Sequence, residues 1–273
     1  MGRFYEAEGF DRTVGDGTDI GAFEVQEIST TPDAEDLYIR GTNADDTLIG
    51  GAGNDTIESV NGDDFILASE GNDLLNGGRG DDTIRAGDGD DTIFGDRGED
   101  LLFGEDGNDD ILGNEGKDTI EGGLSNDTLN GNGNFDFLDG GDGEDILSGD
   151  RGNDTLIGGA DNDTLRGGTG TDFLEGGDGD DLLSGEQGRD LLSGGHGNDI
   201  FVLQSHQGKD TIVDFSDGID LLGLSNGLNF DNLTIVQNGL NTSIHDLTNN
   251  NATLAILSNV NATDINAHDF TTI

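Results

Sequence analysis

The chain has no cysteine and no tryptophan, and it has one proline and one methionine among 273 residues. Without cysteine it can form neither a disulfide framework nor a thiolate metal site, and its redox compartment cannot be inferred. Basic residues are scarce as well, because 11 Lys and Arg stand against 59 Asp and Glu, for a formal charge of −48. Such a chain repels nucleic acid and anionic membranes and attracts cations, so we expect no nucleic-acid partner.

Long apolar runs are also missing. The first residues, Met1 to Glu6, contain no hydrophobic stretch of the kind found in cleavable signal peptides. No run elsewhere approaches the roughly 20 residues of a membrane-spanning helix. We therefore expect a soluble chain with no membrane span and no N-terminal export signal.

Motifs for catalysis are equally scarce. The four histidines, His196, His206, His245 and His268, do not have zinc-binding spacing. The stretch Gly123-Leu124-Ser125-Asn126-Asp127 only half resembles a nucleophile elbow, and no calcium loop of the EF-hand type is complete. We predict that the chain is not an enzyme.

Glycine and aspartate are abundant, and they recur at a fixed period. Residues 41–202 can be written without a gap as eighteen nine-residue units, such as the one from Gly50 to Glu58, GGAGNDTIE. Position six is Asp in all eighteen units, and position eight is Leu or Ile in seventeen, with Phe201 in the last. Gly occupies position one in fifteen units and position four in fourteen. A short fixed period of this kind indicates a solenoid.

The residue types within a unit indicate that it can bind a metal ion through oxygen ligands. Glycines at positions one, two and four allow backbone turns with positive φ that direct several carbonyls toward one point. The Asp at position six adds a carboxylate to these oxygens, which together are the hard ligands that Ca²⁺ prefers. Positions seven to nine alternate polar, apolar and polar, and this predicts a very short strand with one inward side chain.

A single unit cannot fold unaided. Burying one Leu or Ile gives roughly 1.5 to 3 kcal/mol, whereas ordering each of nine backbone residues costs roughly 1 to 2 kcal/mol. Self-repulsion of the acidic residues adds to this deficit. We therefore expect the metal-free chain to be a disordered acidic tract, with folding and ion binding as one event.

The nonapeptide closely resembles the glycine- and aspartate-rich repeat of RTX (haemolysin-type) calcium-binding proteins. The resemblance implies a right-handed parallel β-roll in which two units form one coil, so the chain would have about nine coils. Each Ca²⁺ would lie between turns of neighbouring coils, held by Asp side chains at position six and by carbonyls near positions one, two and four. If an ion needs a unit and the next but one, the eighteen units provide up to about 16 sites.

The resemblance implies these metal ligands. The carboxylates are Asp46, Asp55, Asp64, Asp73, Asp82, Asp91, Asp100, Asp109, Asp118, Asp127, Asp136, Asp145, Asp154, Asp163, Asp172, Asp181, Asp190 and Asp199. The clearest carbonyl ligands are those of Gly50, Gly51, Gly53, Gly77, Gly78, Gly80, Gly140, Gly141, Gly143, Gly176, Gly177, Gly179, Gly194, Gly195 and Gly197. Units 122–130 and 131–139 lack glycine at position four, and we expect the repeat to be weakest there.

The segments on either side of the repeat have other compositions. Residues 1–40 form either a one-strand N-terminal cap or a β-helix remnant, because Phe10 to Val25 resembles the end of a bacterial right-handed β-helix domain. Residues 203–273 are predicted to be a small C-terminal β cap with a hairpin at Asn238-Gly239 and a strand over 253–257. The ending Asp269-Phe270-Thr271-Thr272-Ile273 resembles the export signal of proteins secreted by one-step bacterial transporters.

These features predict a secreted protein that binds calcium ions and folds on Ca²⁺ outside the cell, with a C-terminal export signal. Its partners would be Ca²⁺, the bacterial one-step export machinery and cell-surface glycans. Two alternatives remain open from the sequence. The chain could be a structural adhesin or surface-layer component, or the non-catalytic export module of a truncated extracellular enzyme.

Overall fold

The structure is a computed structural model that describes Phe4–Glu6 and residues 35–273. It is an all-β parallel solenoid of about ten turns, which confirms the predicted β-roll. The N-terminal segment 10–25, with its resemblance to a β-helix ending, lies outside the described residues.

The described chain forms 26 strands and two short 3-10 helices, Phe230–Asn232 and Ala267–Asp269. The strands are β1 (Phe4–Glu6), β2 (Tyr38–Arg40), β3 (Thr47–Ala52), β4 (Thr56–Glu58), β5 (Phe65–Glu70), β6 (Leu74–Arg79), β7 (Thr83–Asp88), β8 (Thr92–Arg97), β9 (Leu101–Asp106), β10 (Asp110–Glu115), β11 (Thr119–Leu124), β12 (Thr128–Gly133), β13 (Phe137–Asp142), β14 (Ile146–Arg151), β15 (Thr155–Ala160), β16 (Thr164–Gly170), β17 (Phe173–Asp178), β18 (Leu182–Gly188), β19 (Leu191–His196), β20 (Ile200–Leu203), β21 (Asp210–Ile212), β22 (Leu221–Leu224), β23 (Leu233–Asn238), β24 (Asn241–Asp246), β25 (Ala252–Leu257) and β26 (Phe270–Thr272).

The strands alternate between two sheets. Sheet A has the order β1-β2-β4-β6-β8-β10-β12-β14-β16-β18-β20-β22-β26. Sheet B has the order β23-β24-β25-β21-β19-β17-β15-β13-β11-β9-β7-β5-β3. Within the repeat each strand pairs in parallel with the strand two units on, as Leu48 does with Ile66. One coil is therefore two nonapeptides, as the family resemblance implied.

Most repeat strands are six residues long, so the prediction of a very short strand with one inward side chain was wrong. The strand continues through positions one to three of the next unit, where Gly51 pairs with Ser69 and Ala52 with Glu70. Position one is buried in addition to position eight, as the burial of Ile66 and Ala68 in β5 illustrates. The glycine-rich half of each unit thus also contributes hydrogen bonds to the sheet.

The core is one column of side chains between the two sheets. Every residue at position eight, from Leu48 and Ile57 to Leu192 and Phe201, is at most 3% exposed. Each coil adds two such side chains, and their burial removes apolar surface from water along the whole roll. The core is therefore narrow and continuous, and no separate globular core exists among the described residues of the repeat.

Both ends of the roll depart from the nine-residue period. At the N-terminal end β2 pairs with β4, so the ladder begins before Gly41. At the C-terminal end β21 and β22 continue the two sheets. The predicted hairpin is present as antiparallel β23 and β24, joined by Gly239 and Leu240, and the predicted strand is β25. In the described part of the chain, no helix is long and apolar enough to cross a membrane.

Candidate metal centres

The position-six aspartates form two buried ladders, one along each edge of the roll. Seventeen of the eighteen, from Asp55 to Asp199, are at most 3% exposed. In sixteen successive pairs the backbone N–H of one Asp donates to Oδ1 of the Asp one coil further on, at 2.6 to 3.0 Å. This bond fixes the orientation of the accepting carboxylates, which run from Asp64 to Asp199.

The second oxygen of most of these carboxylates has no hydrogen-bond partner within the described part of the chain. Oδ2 is buried and unpaired in sixteen of them, which run without interruption from Asp55 to Asp190. Leaving a buried anionic oxygen unpaired is costly unless a proton or a cation compensates it. Because the same unpaired atom recurs in every coil from Asp55 to Asp190, we interpret it as part of a repeated cation-binding site.

A space lies next to the unpaired oxygen in thirteen of the sixteen units because position one is glycine there. A Cβ built on Gly77 would lie 2.5 Å from Oδ2 of Asp82 and 3.0 Å from the carbonyl oxygen of Gly95. The carboxylate and the carbonyl of the neighbouring coil therefore converge on the same gap. Convergent carboxylate and carbonyl oxygens suit Ca²⁺, so the residues present fit the ion that the sequence predicted.

Carbonyl groups have to supply much of any coordination shell. Among the described residues, no group of three or more His, Asp or Glu side chains is arranged to hold a metal ion. Each turn offers one position-six carboxylate and several backbone oxygens. Such a ligand set selects a hard cation with a high coordination number.

Burial and crowding raise the pKa of the ladder carboxylates. Desolvation is the largest cause at Asp82, Asp127 and Asp163, and neighbouring ladder carboxylates add to it. The hydrogen bond from the preceding Asp opposes both effects. The pKa of Asp82 rises to about 7, and those of Asp127 and Asp163 rise to about 8. In the metal-free roll these buried aspartates therefore favour the protonated, uncharged form near neutral pH.

The predicted glycines fall into two groups. Those at position one lie against Oδ2 of the Asp in their own unit, as Gly50, Gly140, Gly176 and Gly194 do. Those at positions two and four have positive φ, and these are Gly51, Gly53, Gly78, Gly80, Gly141, Gly143, Gly177, Gly179, Gly195 and Gly197. At position four a Cβ on Gly80 would overlap the carbonyl oxygen of Gly62.

Asp46 differs from the other predicted aspartates. It is half-buried, and its Oδ2 accepts hydrogen bonds from the backbone N–H of Thr42 at 2.6 Å and from the Thr42 hydroxyl at 3.0 Å. Its carboxylate is thus already satisfied. The first unit therefore lacks the buried, unpaired Oδ2 that indicates a cation site in the later units.

The ladders extend beyond the predicted residues. Asp210 accepts from the N–H of Asp190 at 3.2 Å, and Asp220 accepts from that of Asp199 at 3.2 Å. They were missed because they follow their partners by 20 and 21 residues rather than 18. The phrase Asp210-Thr211-Ile212, which repeats positions six to eight of a unit, could have identified the first of them.

The irregular units do not interrupt the ladder. Ser125 and Asn134 replace glycine at position four and adopt its left-handed conformation, with φ of 80° and 82°. The N–H of Asp127 still donates to Asp145 at 2.7 Å, and that of Asp136 donates to Asp154 at 2.9 Å. Any weakness at residues 122–139 must therefore come from backbone strain rather than from a change in register.

A second side-chain ladder lies at position five and was not predicted. The N–H of Asn54 donates to Asp36 at 2.9 Å, and that of Asn72 donates to Asn54 at 3.1 Å. The same contact recurs between Asn108 and Asp90 at 3.0 Å. Short acceptor side chains at position five thus tie the turns of neighbouring coils together on the exposed surface.

Thirty-eight chains of solved structures match this chain. One is the AlgE6R3 subunit of the Azotobacter vinelandii mannuronan C5-epimerase, which is 26% identical, covers 44% of this chain and 77% of that one, and has a TM-score of 0.35. Another is the extracellular lipase LipA of Serratia marcescens, at 18% identity, 76% and 44% coverage, and a TM-score of 0.28. The chain therefore spans less than half the length of that lipase.

A comparison with curated proteins gives no match. The family model of the RTX calcium-binding nonapeptide repeat matches residues 38–66, 67–102, 103–138, 139–174 and 175–205. These segments adjoin one another and cover more than half of the chain. The match agrees with the nonapeptide ladder and its buried aspartates, and the chain belongs to the RTX calcium-binding nonapeptide repeat family.

Proposed function

We propose that this protein is a secreted calcium-binding roll that folds when the position-six aspartates bind Ca²⁺ outside the cell. RTX repeats bind Ca²⁺, and the family is typically non-catalytic. The main support is the unbroken series of sixteen buried Oδ2 atoms without a protein partner in the described part of the chain. Thirteen of them face a gap that the glycine at position one leaves open.

In this proposal the aspartates of Asp55 to Asp190 are carboxylate ligands, and the carbonyls at positions one, two and four complete each shell. A bound Ca²⁺ ion supplies positive charge that lets these buried carboxylates remain ionised. The Oδ1 hydrogen bond holds each side chain in place, so that Oδ2 remains directed at the gap. The repeat carries a charge of −34, and sixteen divalent ions would nearly cancel it.

The number of bound ions tests the metal sites. Protein dialysed against buffered Ca²⁺ is analysed for calcium per chain, with Mg²⁺ in place of Ca²⁺ as the control. We expect about sixteen Ca²⁺ and few Mg²⁺, because Mg²⁺ requires a tighter octahedral shell and gives up its water reluctantly. Binding of only one or two Ca²⁺ would contradict the ladder of sites.

Export is the second part of the proposal. The low free Ca²⁺ of a cytosol would keep the chain unfolded for transport, and Ca²⁺ outside would then fold it. The test co-expresses the chain with a one-step bacterial transporter and compares it with a chain that lacks 269–273. Loss of the protein from the medium on truncation is expected, whereas equal secretion of both would contradict a C-terminal signal.

A further inference from the structure

The two edges of the roll, which each carry one ladder, differ in the residues at positions two and three. These residues are at the C-terminal ends of the strands of sheet A on one edge and of sheet B on the other. On the sheet B edge the nine units of the repeat place six carboxylates and no Lys or Arg there, namely Glu70, Asp88, Glu105, Asp106, Asp142 and Asp178. On the sheet A edge three arginines stand against four carboxylates, which are Arg79, Arg97, Arg151, Asp96, Glu115, Asp150 and Glu186. Positions two and three of the sheet A edge are thus almost neutral in an otherwise strongly acidic roll.

The sheet A edge also has more side chains at position two than the other edge. Six non-glycine residues there have φ between 62° and 93°, namely Val60, Asp96, Asn114, Asn132, Asp150 and Glu186. On the sheet B edge only Ser69 and Glu105 are non-glycine residues with positive φ, at 101° and 78°, and the other seven are glycine. Four of the six on the sheet A edge are Asn or Asp, which adopt this conformation with little strain. The sheet A edge therefore presents mostly polar side chains where the other edge presents glycine.

The position-two and position-three residues of the sheet A edge line a continuous groove parallel to the roll axis. One cavity is lined by residues from Val60 to Glu115 and the next by residues from Asn114 to Glu186, and Asn114 and Glu115 line both. The groove crosses eight coils, and at a spacing of about 4.8 Å per strand it is about 33 Å long. A groove of this length suits a linear polymer.

The groove lining offers both donors and acceptors of hydrogen bonds. Arg97 pairs with Glu115 at 3.1 Å, and Asn114 donates to Asp96 at 3.5 Å. Arg79 and Arg151 form no ion pair within the described part of the chain. Alternating amide, carboxylate and guanidinium groups match sugar hydroxyls, which donate and accept at the same time.

We propose that this groove binds a linear, uncharged polysaccharide along the axis of the roll. The lining has three arginines against four carboxylates, so it offers no net positive charge to attract an anionic polymer. The near-neutral lining supplies hydrogen bonds without excess charge of either sign. This inference rests on the proposed function, because the groove exists only when the roll is folded.

The test uses affinity electrophoresis of the full chain in Ca²⁺, in gels that contain hydroxyethyl cellulose or xylan, with polygalacturonate as the anionic comparison. The variant Asn114→Gly/Asn132→Gly/Asp150→Gly removes groove side chains at positions where the backbone already has the positive φ that glycine tolerates. Its matched control, Ser69→Gly/Glu105→Gly, makes the same kind of change on the sheet B edge. Far-UV circular dichroism in Ca²⁺ monitors folding of all samples.

We expect the uncharged polymers to retard the wild-type chain and the control equally. The groove variant should keep its β signal and bind the uncharged polymers at least about tenfold more weakly, because three hydrogen-bonding side chains are lost. Retardation only by polygalacturonate, no retardation, or equal binding by the groove variant would overturn the inference. A wild-type chain without Ca²⁺-dependent β signal would instead contradict the proposed function.

Discussion

The backbone N–H of Asp91 donates to Oδ1 of Asp109, one coil further on, at 2.8 Å, while Oδ2 of each carboxylate remains unpaired. The same side chain thus performs two tasks. One oxygen holds neighbouring coils together, and the other is available to a cation. Ion binding and coil stacking therefore depend on one another, which explains how a roll with a narrow core can be cooperative.

Replacing a ladder carboxylate tests this coupling. Asp109→Asn keeps the hydrogen-bonding shape but removes the charge, and Asp110→Asn on the next, exposed residue is the matched control. We expect Asp109→Asn to lose one or two bound ions and to raise the Ca²⁺ midpoint of folding, because a partner of the cation is missing. Calcium counting and circular dichroism measure both effects. Equal behaviour of the two variants would contradict a ligand role for Asp109.

The apolar column gives a second prediction. Leu147 is fully buried, whereas the adjacent Ile146 is 45% exposed. Leu147→Ala should lower the free energy of unfolding in Ca²⁺ by about 2 to 5 kcal/mol, and Ile146→Ala should lower it by much less. Urea titrations in excess Ca²⁺ give both values. A larger loss at Ile146 would mean that the strands face the other way.

The position-four glycines give a third prediction. A Cβ on Gly89, which has φ of 135°, would overlap the carbonyl oxygen of Gly71. Gly227 also has positive φ, at 80°, but a Cβ there would meet nothing within 4 Å. We expect Gly89→Ala to destabilise the Ca²⁺-bound roll well beyond the roughly 1 to 2 kcal/mol of conformational strain that Gly227→Ala incurs. Thermal unfolding in Ca²⁺ measures both losses of stability. Equal losses in the two variants would contradict the close approach of Gly89 to Gly71.

The raised carboxyl pKa values predict how pH acts without metal. The pKa of Asp82 is raised to about 7 and that of Asp127 to about 8, from 3.8, mainly by desolvation. A raised folded-state pKa means that protonation favours the fold, so this stabilisation is complete below about pH 4 and is lost as pH rises through about 7 to 8. In excess chelator the β signal should therefore be larger at pH 4 than at pH 8. A larger signal at pH 8 would reverse the sign and contradict burial of these carboxylates.

Much of the fold could be predicted from the sequence because its determinants recur in every unit. The invariant Asp and the apolar position eight fixed the register from Gly41 to Val202. Strand length was mispredicted because the glycines at positions one to three have no side chains that would indicate a strand, although their backbones pair in the sheet. Asp210 and Asp220 were missed because their spacing changes, and the groove was missed because it depends on the difference between alternate units.

Far-UV circular dichroism during a Ca²⁺ titration of the purified chain, with Mg²⁺ as control, tests whether Ca²⁺ binding folds the roll. We expect a disordered spectrum in chelator and a cooperative change to β structure with Ca²⁺ alone, because the buried carboxylates need the cation. A strong β signal in excess chelator at neutral pH, unchanged by Ca²⁺, would contradict it.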